Sequence, residues 1–117
     1  MDITNEFLRR SIVRRGSDGL GVWRSRLECR DGFSMSVQAS VYHYCYPRVD
    51  ESPFYIQAEV GYPSEWEELL REWHEGGVNG VYGYVPIDVI NEVILKHGGL
   101  AEELGETSFD STLDKME

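Results

Sequence analysis

Cysteines are few in this chain, basic residues are scarce beyond its midpoint, and no apolar run approaches bilayer length. Each shortage excludes something. Two cysteines, Cys29 and Cys45, cannot make a disulfide framework or a zinc ribbon, which needs paired Cys-x-x-Cys motifs. A membrane span needs about 20 apolar residues, far more than any run here. The start, Met1-Asp2-Ile3-Thr4-Asn5-Glu6, carries acids where a secretory leader carries cations. Cytoplasmic residence is the expectation. No glycine-rich loop precedes a helix, as a phosphate cradle requires, because Gly76-Gly77-Val78-Asn79-Gly80 follows one.

Charge is present but divided. Residues 1–48 hold eight arginines against five acids, a balance of +3. Residues 49–117 hold Arg71, Lys96 and Lys115 against sixteen acids, a balance of -13, and the two sum to -10. Such a body repels phosphate, so direct nucleic-acid binding is not expected. It could instead compete with nucleic acid for a basic surface on another protein.

Period-2 alternation runs from Phe33 to Cys45. Phe33, Met35, Val37, Ala39 and Val41 fall on one face, and Ser34, Ser36, Gln38, Ser40, Tyr42 and Tyr44 on the other. One long half-buried strand is expected. Leu20–Cys29 reads as its hairpin partner. A two-residue Asp31-Gly32 turn would set Glu28 and Arg26 on the apolar face. A three-residue loop with a left-handed Gly32 pairs Cys29 with Phe33, Leu27 with Met35 and Trp23 with Ala39, and is the expected register. The two cysteines then lie at opposite ends of the hairpin, tens of ångströms apart at about 3.3 Å per residue, too far to bridge.

Elsewhere, Thr4 is expected to cap a helix running to about Gly16, an N-terminal extension with Arg9, Arg10, Arg14 and Arg15 exposed. Phe54, Ile56, Ala58 and Val60 alternate as the inner face of a third strand. Ser64 and Glu67 form a capping box for a helix whose stripe is Trp66, Leu69, Leu70 and Trp73. Val81–Val85 is a fourth strand, and Ile87–Lys96 a helix closed by Gly98-Gly99. From Gly105 the acidic, aperiodic tail reads as disordered. The expectation is a single α+β domain over 1–104, with a mainly antiparallel sheet of about four strands and two to three helices on one face.

Chemistry is sparse. His43 and Cys45 have the spacing of two zinc ligands or of a base and nucleophile, but His74, His97 and Cys29 supply no second pair and no orienting acid is evident. Catalysis, a metal and a cofactor are therefore not expected. Glu67-Glu68 and Glu102-Glu103 read as solvated helix faces. Tyrosines and Arg48 make a polar-aromatic patch suited to a protein partner, or to stacking on a base.

Asp31-Gly32-Phe33-Ser34-Met35-Ser36-Val37-Gln38-Ala39-Ser40, then His43-Tyr44-Cys45 and Pro47-Arg48, recur in order with Glu59-Val60-Gly61-Tyr62-Pro63-Ser64, Val81-Tyr82-Gly83-Tyr84-Val85-Pro86 and Lys96-His97-Gly98-Gly99. Over residues 27 to 100 the chain resembles a group of small, uncharacterised proteins encoded in bacteriophages and prophages. That resemblance implies a phage origin and action in the cytoplasm of a bacterial host, and supplies no catalytic residues. Three functions are expected in turn. The first is an acidic inhibitor of a host defence protein, resembling anti-CRISPR proteins in size and charge, that contacts a nucleic-acid-binding partner with Glu65, Glu67, Glu68, Glu72 and Glu75. The second is a sponge for a nucleotide signal, with His43, Tyr44, Tyr46, Arg48 and Tyr84 as its pocket. The third is a virion structural or assembly protein with a homodimeric contact.

Overall fold

Alternating short strands and capped helices assemble into an α+β fold, seen in a computed structural model that describes residues 2–74 and 80–101. Helix α1 spans Ile3–Arg10. Its cap is Asp2, whose carboxylate accepts the Asn5 N–H, and not Thr4. Thr4 instead donates its hydroxyl and its N–H to Asn91 Oδ1, at 2.6 and 2.9 Å, tying α1 to the last helix. The helix stops short of Gly16 because β-branched Ile12 and Val13 open strand β1, Ile12–Arg15. β1 pairs antiparallel with β2, Val22–Arg24, as a separate two-stranded ribbon.

The main sheet has the order β3-β4-β5-β6, with β3 Leu27–Glu28, β4 Ser34–Gln38, β5 Gln57–Gly61 and β6 Val81–Pro86. The three-residue hairpin loop is present. Leu27 faces Met35, the Cys29 N–H donates to the Phe33 carbonyl, and Gly32 is left-handed at φ 98°. Trp23 does not meet Ala39. The Gln38 amide bonds both the N–H and the carbonyl of Arg24, so a side chain stands where a ladder would have formed. β2 consequently turns Val22 and Arg24 inward and leaves Trp23 half-buried.

The long strand expected to reach Cys45 ends at Gln38. Ser40 breaks it: its carbonyl accepts from His43 N–H and its Oγ from Tyr42 N–H, closing a turn. The third strand also departs from its pattern. Phe54 and Ile56 are exposed and Tyr55 is buried, because Asn5 satisfies both backbone groups of Tyr55 and the Val49 carbonyl receives its hydroxyl. Normal phase returns at Ala58 and Val60.

Helix α2, Ile87–Lys96, lies where its sequence places it. Gly99 N–H returns to Ile94 O and Gly98 N–H to Leu95 O, a Schellman end that needs a left-handed Gly98, here at φ 91°. The helix expected after Ser64 is a shorter 3-10 helix, Glu68–Trp73, capped by Glu67. Of its predicted stripe, Leu70 is buried and Trp73 partly so, while Trp66 and Leu69 are exposed. One core cluster joins Phe7 and Leu8 of α1, Ile87, Ile90, Val93 and Ile94 of α2, and Met35, Val37, Ala58, Val60 and Val85 of the sheet. Both cysteines are buried and free. The acidic tail, Glu75 and Glu102-Glu103 lie outside the described residues.

Candidate protein-binding surface

β6 is the edge strand of the main sheet, and it carries a bulge. Ala58 pairs with Val85 and Val60 with Tyr82, so Gly83 and Tyr84 together oppose the single residue Glu59. Tyr84 takes up the extra length with φ 57°, a left-handed conformation that costs a non-glycine residue roughly 1–2 kcal/mol. Its N–H then donates to the Tyr44 carbonyl at 3.0 Å. Its ring meets the Tyr44 ring with centroids 5.7 Å apart at 36°. Gly83 lets this happen: a β-carbon there would lie 3.1 Å from the Tyr44 β-carbon.

Tyr44 is held from three sides. Glu59, half-buried beneath it, accepts its N–H at 3.0 Å. Burial raises the Glu59 pKa, against that hydrogen bond and the charge of Arg48. The Arg48 guanidinium lies 5.5 Å from the Tyr44 ring centre, anchored by an Nε bond to the Val41 carbonyl. Tyr46 pairs its backbone with Ile56 and Gln57 and leaves its ring 59% exposed. Ile56 and Phe54, exposed by the inversion at Tyr55, share a cleft with Pro86. Tyr44, Tyr46 and Tyr84 are thus each about half exposed, and backbone bonds tie Tyr44 to Tyr84 and Tyr46 to Ile56 and Gln57.

His43, grouped with these residues by sequence, points the other way. It is buried, its Nδ1 lies 2.6 Å from Ser40 Oγ, and its ring meets Trp23 edge-on. Burial, then the nearby Arg24 and Arg48 charges, lower its pKa to about 4. His43 is therefore a neutral support under the turn, withdrawn from the surface that Tyr44 and Tyr84 form. Cys45, equally buried, turns its Sγ toward the Ser40 and Pro47 carbonyls, and burial raises its pKa. Burial thus makes His43 a weak base and opposes ionisation of Cys45. No three His, Cys, Asp or Glu side chains are grouped as metal ligands among the described residues.

The acidic face is reduced. Glu67 is 1% exposed and cannot contact a partner. Its Oε1 is 2.7 Å from His97 Nε2 and its Oε2 is 2.7 Å from Lys96 Nζ. His97 Nδ1 lies 2.6 Å from Asp31 Oδ2, and Phe33 stacks on the ring at 4.1 Å. Both ring nitrogens meet carboxylates, an arrangement only an imidazolium satisfies by donating twice. Burial would depress the His97 pKa, but the bonds to Glu67 and Asp31 outweigh it and the pKa is raised. Burial likewise opposes ionisation of Glu67, and Lys96, the Leu69 N–H and His97 overcome it. This clasp joins the β3–β4 loop, the 3-10 helix and the end of α2. Glu65, Glu68 and Glu72 remain exposed, with Glu68 bonded to Arg71 and to the Trp66 indole.

No helix among the described residues is long and apolar enough to cross a membrane. Comparison with protein-family models, curated proteins and solved structures finds no match to this chain.

Proposed function

We propose that this protein acts by binding another protein through the surface formed by Tyr44, Tyr46, Arg48 and Tyr84, with Phe54 and Ile56 beside it. The observation that carries this reading is the bulge at Gly83-Tyr84, where the edge strand bears a left-handed tyrosine to aim its ring outward. Bulges that re-aim side chains concentrate at functional sites. Tyrosine and arginine are the side chains that dominate protein interfaces. A patch of half-exposed tyrosines suits a partner that comes and goes, since permanent homodimer contacts are more apolar. In the setting the phage resemblance implies, the partner is a host protein and the effect is inhibition of a defence component.

Two alternatives are less well supported. A nucleotide sponge would hold its aromatic rings apart to admit a base, whereas Tyr44 and Tyr84 lean on one another and His43 is withdrawn. An acidic mimic would act through Glu65, Glu68 and Glu72 alone among its described candidates, because Glu67 is spent on the clasp.

Affinity capture from a bacterial host extract distinguishes the readings, with Ile56→Asp and the double variant Glu68→Lys/Glu72→Lys beside the wild type. A protein that binds the wild type and the charge-reversed variant, and loses at least tenfold in affinity for Ile56→Asp once purified, supports the aromatic surface. Binding that ignores Ile56→Asp and disappears with charge reversal overturns it in favour of the acidic mimic.

A further inference from the structure

An acidic protein that gathers arginines in one place has a local purpose for them. Helix α1 ends in Arg9-Arg10 and strand β1 ends in Arg14-Arg15, and the turn at Ser11 folds the two against the buried Arg24. The fold leaves a cleft of about 340 Å³ lined by Arg9, Arg24, Ser52 and Glu51, and a groove of about 400 Å³ lined by Arg9, Arg10, Arg14, Arg15 and Glu51. Arg9, Ile12 and Glu51 line both. Five arginines and one carboxylate line them, within a chain of net charge -10.

The side-chain bonds and ring contacts of Arg9, Arg14 and Arg24 go to uncharged groups, while Asp2 acts on Arg9 and Glu51 on Arg24 through charge alone. Arg9 donates to the Pro53 carbonyl at 3.0 Å, and Arg14 lies 4.1 Å over the Trp23 ring. Arg24, 5% exposed, donates Nε to Leu8 O at 2.6 Å, one Nη to Ala39 O and the other to Asp50 O at 3.4 Å. Arg15 pairs with the carboxylate of Glu51, at 2.7 Å. Carbonyls orient a guanidinium without cancelling its charge.

We infer that this groove binds a small phosphate-rich ligand, of the pyrophosphate or nucleoside triphosphate class. The planar forks of neighbouring arginines match phosphoryl oxygens in pairs, and charge-assisted bonds of this kind are the strong ones. The space is that of a small-ligand site. The acidic remainder of the chain repels a long polyanion and tolerates a compact one. The site is separate from the tyrosine surface and stands whether or not that surface binds a protein.

The test is calorimetric titration of the full chain with inorganic pyrophosphate, a nucleoside triphosphate and a 20-nucleotide single strand, at low and physiological salt. The site requires saturable one-to-one binding of pyrophosphate or triphosphate. Arg9→Glu should weaken that binding at least tenfold, and Arg30→Glu, the same charge change on the exposed hairpin loop, less than twofold. The fluorescence of Trp23 beneath Arg14 should change on binding, so a Trp23→Phe variant removes the signal while heat release persists. Absent heat with both small probes, or equal weakening by Arg9→Glu and Arg30→Glu, overturns the site. Tighter binding of the oligonucleotide than of triphosphate overturns the ligand class and makes the groove a nucleic-acid contact.

Discussion

Two histidines of this protein are almost equally hidden, His43 at 8% and His97 at 7% exposure, and the fold treats them oppositely. His97 stands between Asp31 and Glu67 and is held as a cation. His43 stands near Arg24 and Arg48, with a serine hydroxyl on its nitrogen, and is held neutral with a pKa of about 4. Burial depresses both; at His43 it is the main cause of the lowered pKa and the arginines add to it, whereas at His97 the two carboxylates reverse it. The cationic histidine clamps three segments that carry no proposed function. The neutral one lies under the turn that delivers Tyr44 and Arg48. The region of strong electrostatics is scaffold, and the region proposed to bind is held by weaker and less charged contacts.

The largest effect is expected where that clasp is cut. Glu67→Gln keeps the volume and removes the charge that Lys96 and His97 share. Removing one partner from a buried ionic cluster leaves the rest uncompensated, and a loss on the order of 3 kcal/mol is expected in urea unfolding. Capture of a partner by the folded fraction should be unchanged. A variant that keeps full stability would show that the clasp does not hold the fold together.

The two histidines should also separate by pH. His43 has a folded pKa below its ordinary 6.5, so its neutral state contributes fully above that value and progressively less as pH falls toward 4. His43→Leu removes this dependence. Relative to the variant, the wild type should lose up to about 3 kcal/mol between pH 6.5 and 4. His97 has the opposite sign. Its folded pKa is raised, so its contribution is complete below 6.5 and is lost as pH rises through the raised value. The advantage of wild type over His97→Gln should therefore shrink with increasing pH. Urea midpoints for the three proteins from pH 4 to 9 check both slopes, and parallel curves would remove the contrast.

The contrast also marks how far the sequence can be read. Period-2 patterning and the Asp31-Gly32 turn are enough for the Leu27–Met35 register, and Gly98-Gly99 for the end of α2, because local chemistry decides those features. Glu67 reads as solvated, and the structure buries it. Its spacing fits a capping residue, and it does cap the 3-10 helix through the Leu69 N–H, but its burial depends on Lys96, His97 and Asp31, distant in sequence. Phe54 and Ile56 read as core and are exposed for the same reason. Nothing local announces that Asn5, fifty residues away, would claim the backbone of Tyr55 and reverse the strand's phase. The alternation fails at Ser40, which is buried beside buried Ala39 because its side chain and carbonyl close a turn, and this ends the strand early. The tyrosine patch is legible as composition. Its geometry is not, because a bulge appears only once Gly83-Tyr84 is set against Glu59.

The smallest expected effect on stability is at that bulge, and it sharpens the comparison most. Tyr84→Gly removes a left-handed non-glycine residue, a relief of roughly 1–2 kcal/mol, and removes the ring contact with Tyr44, a loss of roughly 0.5–1.5 kcal/mol. The two nearly cancel, so stability should move by less than about 1 kcal/mol in either direction. The backbone bond from residue 84 to the Tyr44 carbonyl is retained. Affinity for the captured partner should nonetheless fall at least tenfold. A tyrosine kept for the fold would show the reverse, with stability lost and binding preserved. Stability kept and binding lost at Tyr84 would set this edge of the sheet apart from the clasp at His97, where Glu67 bonds Lys96 and His97, and Asp31 bonds His97, to hold three segments together.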